Sequence, residues 1–165
     1  MRQEFGKKML ELMTDGTRIL NIDETWIAQT NFKRQAWMQL EKNESDRINP
    51  VAQRITMIVA LDNYGDIYLA LMQSNTNQYS FSEYISDLAQ VLDEDRPGWR
   101  KNTIWQLDGA RWHSTEMLKE LFAKLNIQVM ISAPYSYDGA VAELFFAMFK
   151  CGHINREGLA TSKSK

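Results

Sequence analysis

Apolar positions recur along this chain at two periods, and the switches between them mark out its elements. From Arg2 to Met13, residues Phe5, Met9, Leu10, Leu12 and Met13 stand against Lys7, Lys8 and Glu11, the spacing of a short amphipathic helix that stops at Asp15-Gly16. Arg18 to Trp26 alternates as a strand, with Ile19, Asn21 and Asp23 on one face and Leu20, Ile22 and Glu24 on the other. Residues 35–39 read as a brief strand, and 41–53, polar and containing Pro50, as an exposed loop. Arg54 to Leu61 and Ile67 to Met72 are β-branched-rich runs joined by Asp62-Asn63-Tyr64-Gly65-Asp66, which predicts a hairpin.

The second half changes period. Ser80 and Glu83 have capping-box spacing, and Phe81, Tyr84, Ile85, Leu88, Val91 and Leu92 follow at helical intervals until Pro97-Gly98 forbids continuation. Thr103 to Leu107 reads as a buried strand that ends on Asp108. A helix is then expected from an N-cap at Ser114, with Glu116 in its first turn and Met117, Leu118, Leu121, Phe122 and Leu125 as its stripe. Ile127 to Ser132 predicts a short strand closed by Ala133-Pro134-Tyr135, and a last helix covers 138–150 before a polar tail from Gly152. Antiparallel strands followed by βα alternation predict an α/β fold, a mixed sheet with helices on its faces.

Composition narrows the classes. The 165 residues suit one domain with a real core, and no run is long and apolar enough to span a membrane. One cysteine, Cys151, excludes an internal disulfide and a cysteine-based zinc site, and two histidines are too few for a histidine-rich one. A net charge of −2 argues against a domain whose main task is gripping nucleic-acid backbone, though not against an enzyme that acts on it.

The candidate chemistry lies in three carboxylates. ILNID and IWQLD each place an amide two residues before an aspartate, Asn21 before Asp23 and Gln106 before Asp108, so amide and acid share a face in both strands. If those strands are parallel neighbours, the aspartates end side by side, where either one is protonated or a cation lies between them. Oxygen-only donors suit Mg²⁺ or Mn²⁺. The third acid, Glu143, is the one charged residue between Asp138 and Lys150. With Val141, Leu144, Phe145 and Met148 assigned to the core face, it is expected to face something polar inside the molecule.

Asp23 within NIDETWI, Asp108 within QLDGARWHS and Glu143 after APYSYDG resemble the acidic triad of the mariner superfamily of DDE transposases. The 34 residues from 109 to 142 match the spacing of one main branch, as do His113-Ser114 after the second acid, Pro134-Tyr135-Ser136 before the third, and Trp37 ahead of a polar loop. The resemblance covers about residues 3–150. It implies a ribonuclease H-like mixed five-stranded sheet with helices on both faces, and a single catalytic domain over 1–165 with 152–165 as a flexible tail. It further implies metal-dependent cleavage and strand transfer at transposon ends, with DNA as partner and no organic cofactor or membrane. Two divalent cations, Mg²⁺ or Mn²⁺, would be held by Asp23, Asp108 and Glu143, with Asp23 as the bridging ligand. One would activate water or a DNA 3′-hydroxyl, and the other would stabilise the leaving oxygen.

His113 reads as a phosphate contact, a group that orients a metal ligand, or an ordinary hydrogen-bonding residue near a helix start. Arg111 reads as a phosphate-binding or plain surface arginine, and Trp26 and Trp37 as packing residues. Segment 41–53 is either a solvated loop or an arm to a second copy in a homodimer. Tyr137 to Val141 replaces the family's proline-rich turn before the last acid, which loosens the hold on Glu143, and the family's N-terminal helix-turn-helix has no counterpart here. Two other readings compete: an inactive, domesticated remnant that acts as a binding module, and another ribonuclease H-like nuclease. A nuclear location is expected if the host is eukaryotic.

Overall fold

The computed structural model describes residues 2–27, 55–133 and 140–150. The brief strand at 35–39, the 41–53 loop, Trp37, Pro134-Tyr135-Ser136, Cys151, His153 and the tail lie outside the described residues. The elements run α1 (Arg2–Thr14), β1 (Arg18–Ile27), β2 (Ile55–Asp62), β3 (Ile67–Met72), α2 (Gln78–Asp95), β4 (Thr103–Leu107), α3 (Glu116–Lys124), β5 (Gln128–Ile131) and α4 (Val141–Met148), with single 3₁₀ turns at Trp99–Lys101 and Arg111–Ser114.

The five strands form one sheet in the order β3-β2-β1-β4-β5, antiparallel from β3 to β1 and parallel from β1 to β5. This is the mixed, ribonuclease H-like sheet expected. The register sets Asn21 beside Gln106, so β1 and β4 are parallel neighbours running toward their aspartates. Leu20, Ile22, Ile58, Ala60, Trp105 and Leu107 pack on one face against Phe81, Ile85, Leu88 and Leu92 of α2 and Leu118 and Phe122 of α3. The opposite face is thinner: Met57, Val59 and Leu61 meet Ala142 and Phe146 of α4. α1 forms as predicted but buries no residue fully. None of the described helices is long and apolar enough to cross a membrane.

Two helix starts differ from expectation. The N-cap of α2 lies three residues ahead of Ser80, because Asn77 Oδ1 accepts from the backbone N–H of Tyr79 and Ser80 while Ser80 Oγ accepts from Asn77 N–H. The capping box is therefore Asn77 with Ser80, and Ser80 is its N3 partner. α3 starts after Thr115 and not Ser114, because the intervening residues wind into a 3₁₀ turn.

The α4 face also differs. Ala142 and Phe146 are its buried residues, with Phe145 and Phe149 packed beside them, while Val141, Leu144 and Met148 are exposed. Apolar residues surround this helix, so its periodicity alone does not select a face.

Trp105 is fully buried, stacked on Trp99 at 5.5 Å between ring centres and edge-on to Phe122 at 6.4 Å. Trp105→Ala is expected to cost about 3–5 kcal/mol by urea unfolding, while Leu69→Ala on the exposed side of β3 stays within about 1 kcal/mol.

Candidate active site

The site forms where the pairing of β1 with β4 ends. Asp23 lies two residues beyond the Asn21–Gln106 pair, inside β1 and still paired to Val59 of β2, and Asp108 follows the last residue of β4, so both acids stand just past the parallel pairing. Glu143 joins them from the first turn of α4, the helix packed on β1 and β2. The three are close enough for charge to act between them. Burial above all, with the charges of Asp108, Glu143 and Glu24 adding to it, pushes Asp23 up to about 7, against the backbone N–H of Glu24 that donates to it at 2.8 Å.

Asp108 has a different surrounding. His113 Nδ1 forms an ion pair with its Oδ1 at 2.6 Å, and the N–H of Ala110 donates to the same oxygen at 2.9 Å. Pairing with His113 holds Asp108 below the usual carboxylate range. His113 is only 2% exposed, with its ring 4.5 Å from that of Phe81. On its other side Nε2 stands 3.4 Å from Glu24 Oε1, which also accepts from Trp112 Nε1 at 3.2 Å. Burial pulls His113 down, but Asp108 and Glu24 outweigh it and raise the ring to about 9. At neutral pH His113 is a cation set between two carboxylates.

These positions correct several expectations. Glu143 is exposed at the rim of the site and does not face a polar interior, because α4 turns Ala142 and Phe146 to the sheet. His113 is enclosed, which fits orienting Asp108 and not reaching for a phosphate. Arg111 is exposed on the 3₁₀ turn. Trp26 is 53% exposed and so is not a core packing residue. Sequence reading missed Glu24, whose only signal was adjacency to Asp23 and whose side chain alternation sends to the other face. It also missed Lys150, which donates from its Nζ to Thr25 Oγ1 beside the site.

The donor set fits a hard divalent cation: three carboxylates, with the most buried of them burdened by its neighbours' charge. Among the described residues, no three His, Cys, Asp or Glu side chains yet stand close enough to enclose an ion.

Both raised groups have consequences for stability without metal. Asp23 binds its proton more tightly when folded, so its contribution falls as pH rises from about 4 to about 7. With a chelator present at pH 8, Asp23→Asn is expected to melt above wild type by the equivalent of about 1–2 kcal/mol, a margin that vanishes near pH 4. The stabilising charge of His113 is fully present below pH 6.5 and lost through about 9, so His113→Gln flattens the melting curve over that window. Parallel pH profiles for the variants and wild type would contradict these assignments.

The family described as DDE superfamily endonuclease matches residues 18–164. No curated protein matches the sequence. Among solved structures, the Mos1 mariner paired-end complex with Mn aligns at a TM-score of 0.72 and 24% identity over 94% of this chain and 48% of that one. The corresponding complex with Mg aligns at 0.71 and 24% over 94% and 49%. The catalytic domain of Mos1 mariner transposase aligns at 0.65 and 23% over 91% and 69%. The chain thus spans about half the length of the chains in the two complexes, and it shares the ribonuclease H-like fold of the catalytic domain. With the family match running from the first residue of β1 across nearly all that follows, the chain belongs to the DDE superfamily endonucleases.

Proposed function

We propose that this domain cleaves DNA and transfers the resulting strand at transposon ends by phosphoryl transfer, with Asp23, Asp108 and Glu143 holding two divalent cations, Mg²⁺ or Mn²⁺. The observation that carries this reading is the convergence of the three acids: the parallel register of β1 and β4 sets Asp23 beside Asp108, Glu143 comes from α4 packed on β1, and burial with the charges of its neighbours raises the hold of Asp23 on a proton. A cluster that favours a proton so strongly has unmet need for positive charge, and a hard cation satisfies all three acids at once. When bound, the cations supply charge stabilisation for the attacking and leaving oxygens of an in-line displacement.

The residues divide the remaining work. Asp23, the most enclosed acid, would hold a cation as its carboxylate and so would have to lose its proton to do so. His113 fixes the side chain of Asp108 through Oδ1, and among the described residues Oδ2 makes no hydrogen bond. Glu143 closes the set from the rim, where a long polymer has access. Arg111, exposed three residues after Asp108 in the chain, would meet a phosphate on this reading. The partners on this reading are transposon-end and target DNA, with a second copy of the chain in a homodimer and a nuclear site of action in a eukaryotic host. The solved Mos1 relatives, paired-end complexes with Mn and with Mg, support it.

Wild type is expected to bind Mn²⁺ by calorimetry, with affinity falling about tenfold per pH unit below 7 as Asp23 takes its proton. It is expected to nick supercoiled DNA in Mn²⁺ in preference to cutting an RNA–DNA hybrid. Asp108→Asn should abolish the binding and lower nicking by at least about 100-fold. A wild-type chain that binds no Mn²⁺ at millimolar concentration would overturn the proposal, and preference for the hybrid would reassign it to another ribonuclease H-like nuclease.

A further inference from the structure

We infer that Asn21 is a positioning residue that caps, from the sheet face beneath it, the helix carrying Glu143 and so ties that acid to the strand carrying Asp23. The two amides singled out by the strand pattern, Asn21 and Gln106, are otherwise unexplained: both are buried polar side chains in a sheet interior, where β-branched or aliphatic residues pack better. Asn21 is 4% exposed, and its Oδ1 accepts a hydrogen bond from the backbone N–H of Ala142 at 2.8 Å. Only an oxygen can accept from that donor, which fixes the orientation of the amide.

α4 needs such a partner. Ala140 at its N-cap provides no side-chain hydrogen bond, and the sequence ahead of it has Tyr137-Asp138-Gly139 in place of the family's proline-rich turn. Asn21 fills that role from a distant part of the chain. The bond lands one residue before Glu143 and starts two residues before Asp23 on the same strand face, so it links the two acids by a short, buried path. Ala142, fully buried, permits the close approach of helix to strand.

The second amide extends the link. Asn21 Nδ2 points to the carbonyl of Gln106 at 3.5 Å, and Gln106 Nε2 donates to Ser132 Oγ at 3.0 Å just past β5. An uncharged amide also suits the place, since an acid there would add a further negative charge beneath three carboxylates.

That the link positions a metal ligand rests on the reading proposed above; the cap itself does not. The test compares Asn21→Leu and Asn21→Asp with wild type, by amide exchange in the chelator-treated chain and then by Mn²⁺ calorimetry. In Asn21→Leu the Ala142 amide should exchange about tenfold faster, the ordinary worth of an N-cap, with Ile58 and Leu107 unchanged, and Mn²⁺ should bind about tenfold more weakly. Asn21→Asp keeps an acceptor and, at a pH low enough to keep the added acid neutral, should restore the protection of Ala142. If Asn21→Leu does not fold, Asn21→Thr, a strand former whose hydroxyl is too short to reach, takes its place. Unchanged exchange at Ala142 in a folded variant, or faster exchange with undiminished Mn²⁺ affinity, would overturn the inference. A wild-type chain that binds no Mn²⁺ overturns the metal reading instead, and exchange at Ala142 still decides whether the cap exists.

Discussion

Register between β1 and β4 determines where charge collects in this domain. Parallel pairing sets Asn21 beside Gln106, and two residues further each strand delivers an aspartate at the same end of the sheet. Neither acid can move away, because the strands beneath them are anchored by Leu20, Ile22, Trp105 and Leu107 in the main core. The fold therefore holds like charges together in a partly enclosed site, at a cost that the large apolar interior offsets. What neighbours each acid follows from that confinement: Asp23 retains a proton, Asp108 pairs with the cationic His113, and Glu143 stays at the rim.

His113 and a divalent cation answer the same electrostatic demand in different ways. The imidazolium is buried, shared with Glu24, and reaches only Asp108 of the three acids. It holds that side chain in place, while Asp23 holds its proton up to about pH 7. A metal-free domain of this kind is thus partly compensated, which keeps it foldable, and partly not, which gives a cation something to bind.

Much of this was legible in the sequence. Alternation in ILNID, the β-branched hairpin around Asp62 to Asp66 and the strand ending at Asp108 located the sheet and two of the acids, because strand period and turn chemistry are local properties. The rest depended on contacts between distant residues. The surroundings of Glu143 are not legible locally, because apolar residues occur nearly all round α4 and only its contacts show that Ala142 and Phe146 turn to the sheet. The cap of α2 was misplaced because Ser80 suits both N-cap and N3, and only Asn77 beside it decides between them. Glu24 was overlooked because its role requires Trp112 and His113, which arrive from a turn nearly ninety positions later.

The most direct measurement of the account is the paramagnetic effect of Mn²⁺ on amide resonances of the isotope-labelled chain. A single carboxylate site predicts that substoichiometric Mn²⁺ broadens the amides of Asp23, Asp108 and Glu143 together, ahead of those in α1 or on the outer surface of α2. Broadening spread evenly over exposed acids, or confined to one of the three, would contradict the claim that the fold gathers these residues into one metal-binding site.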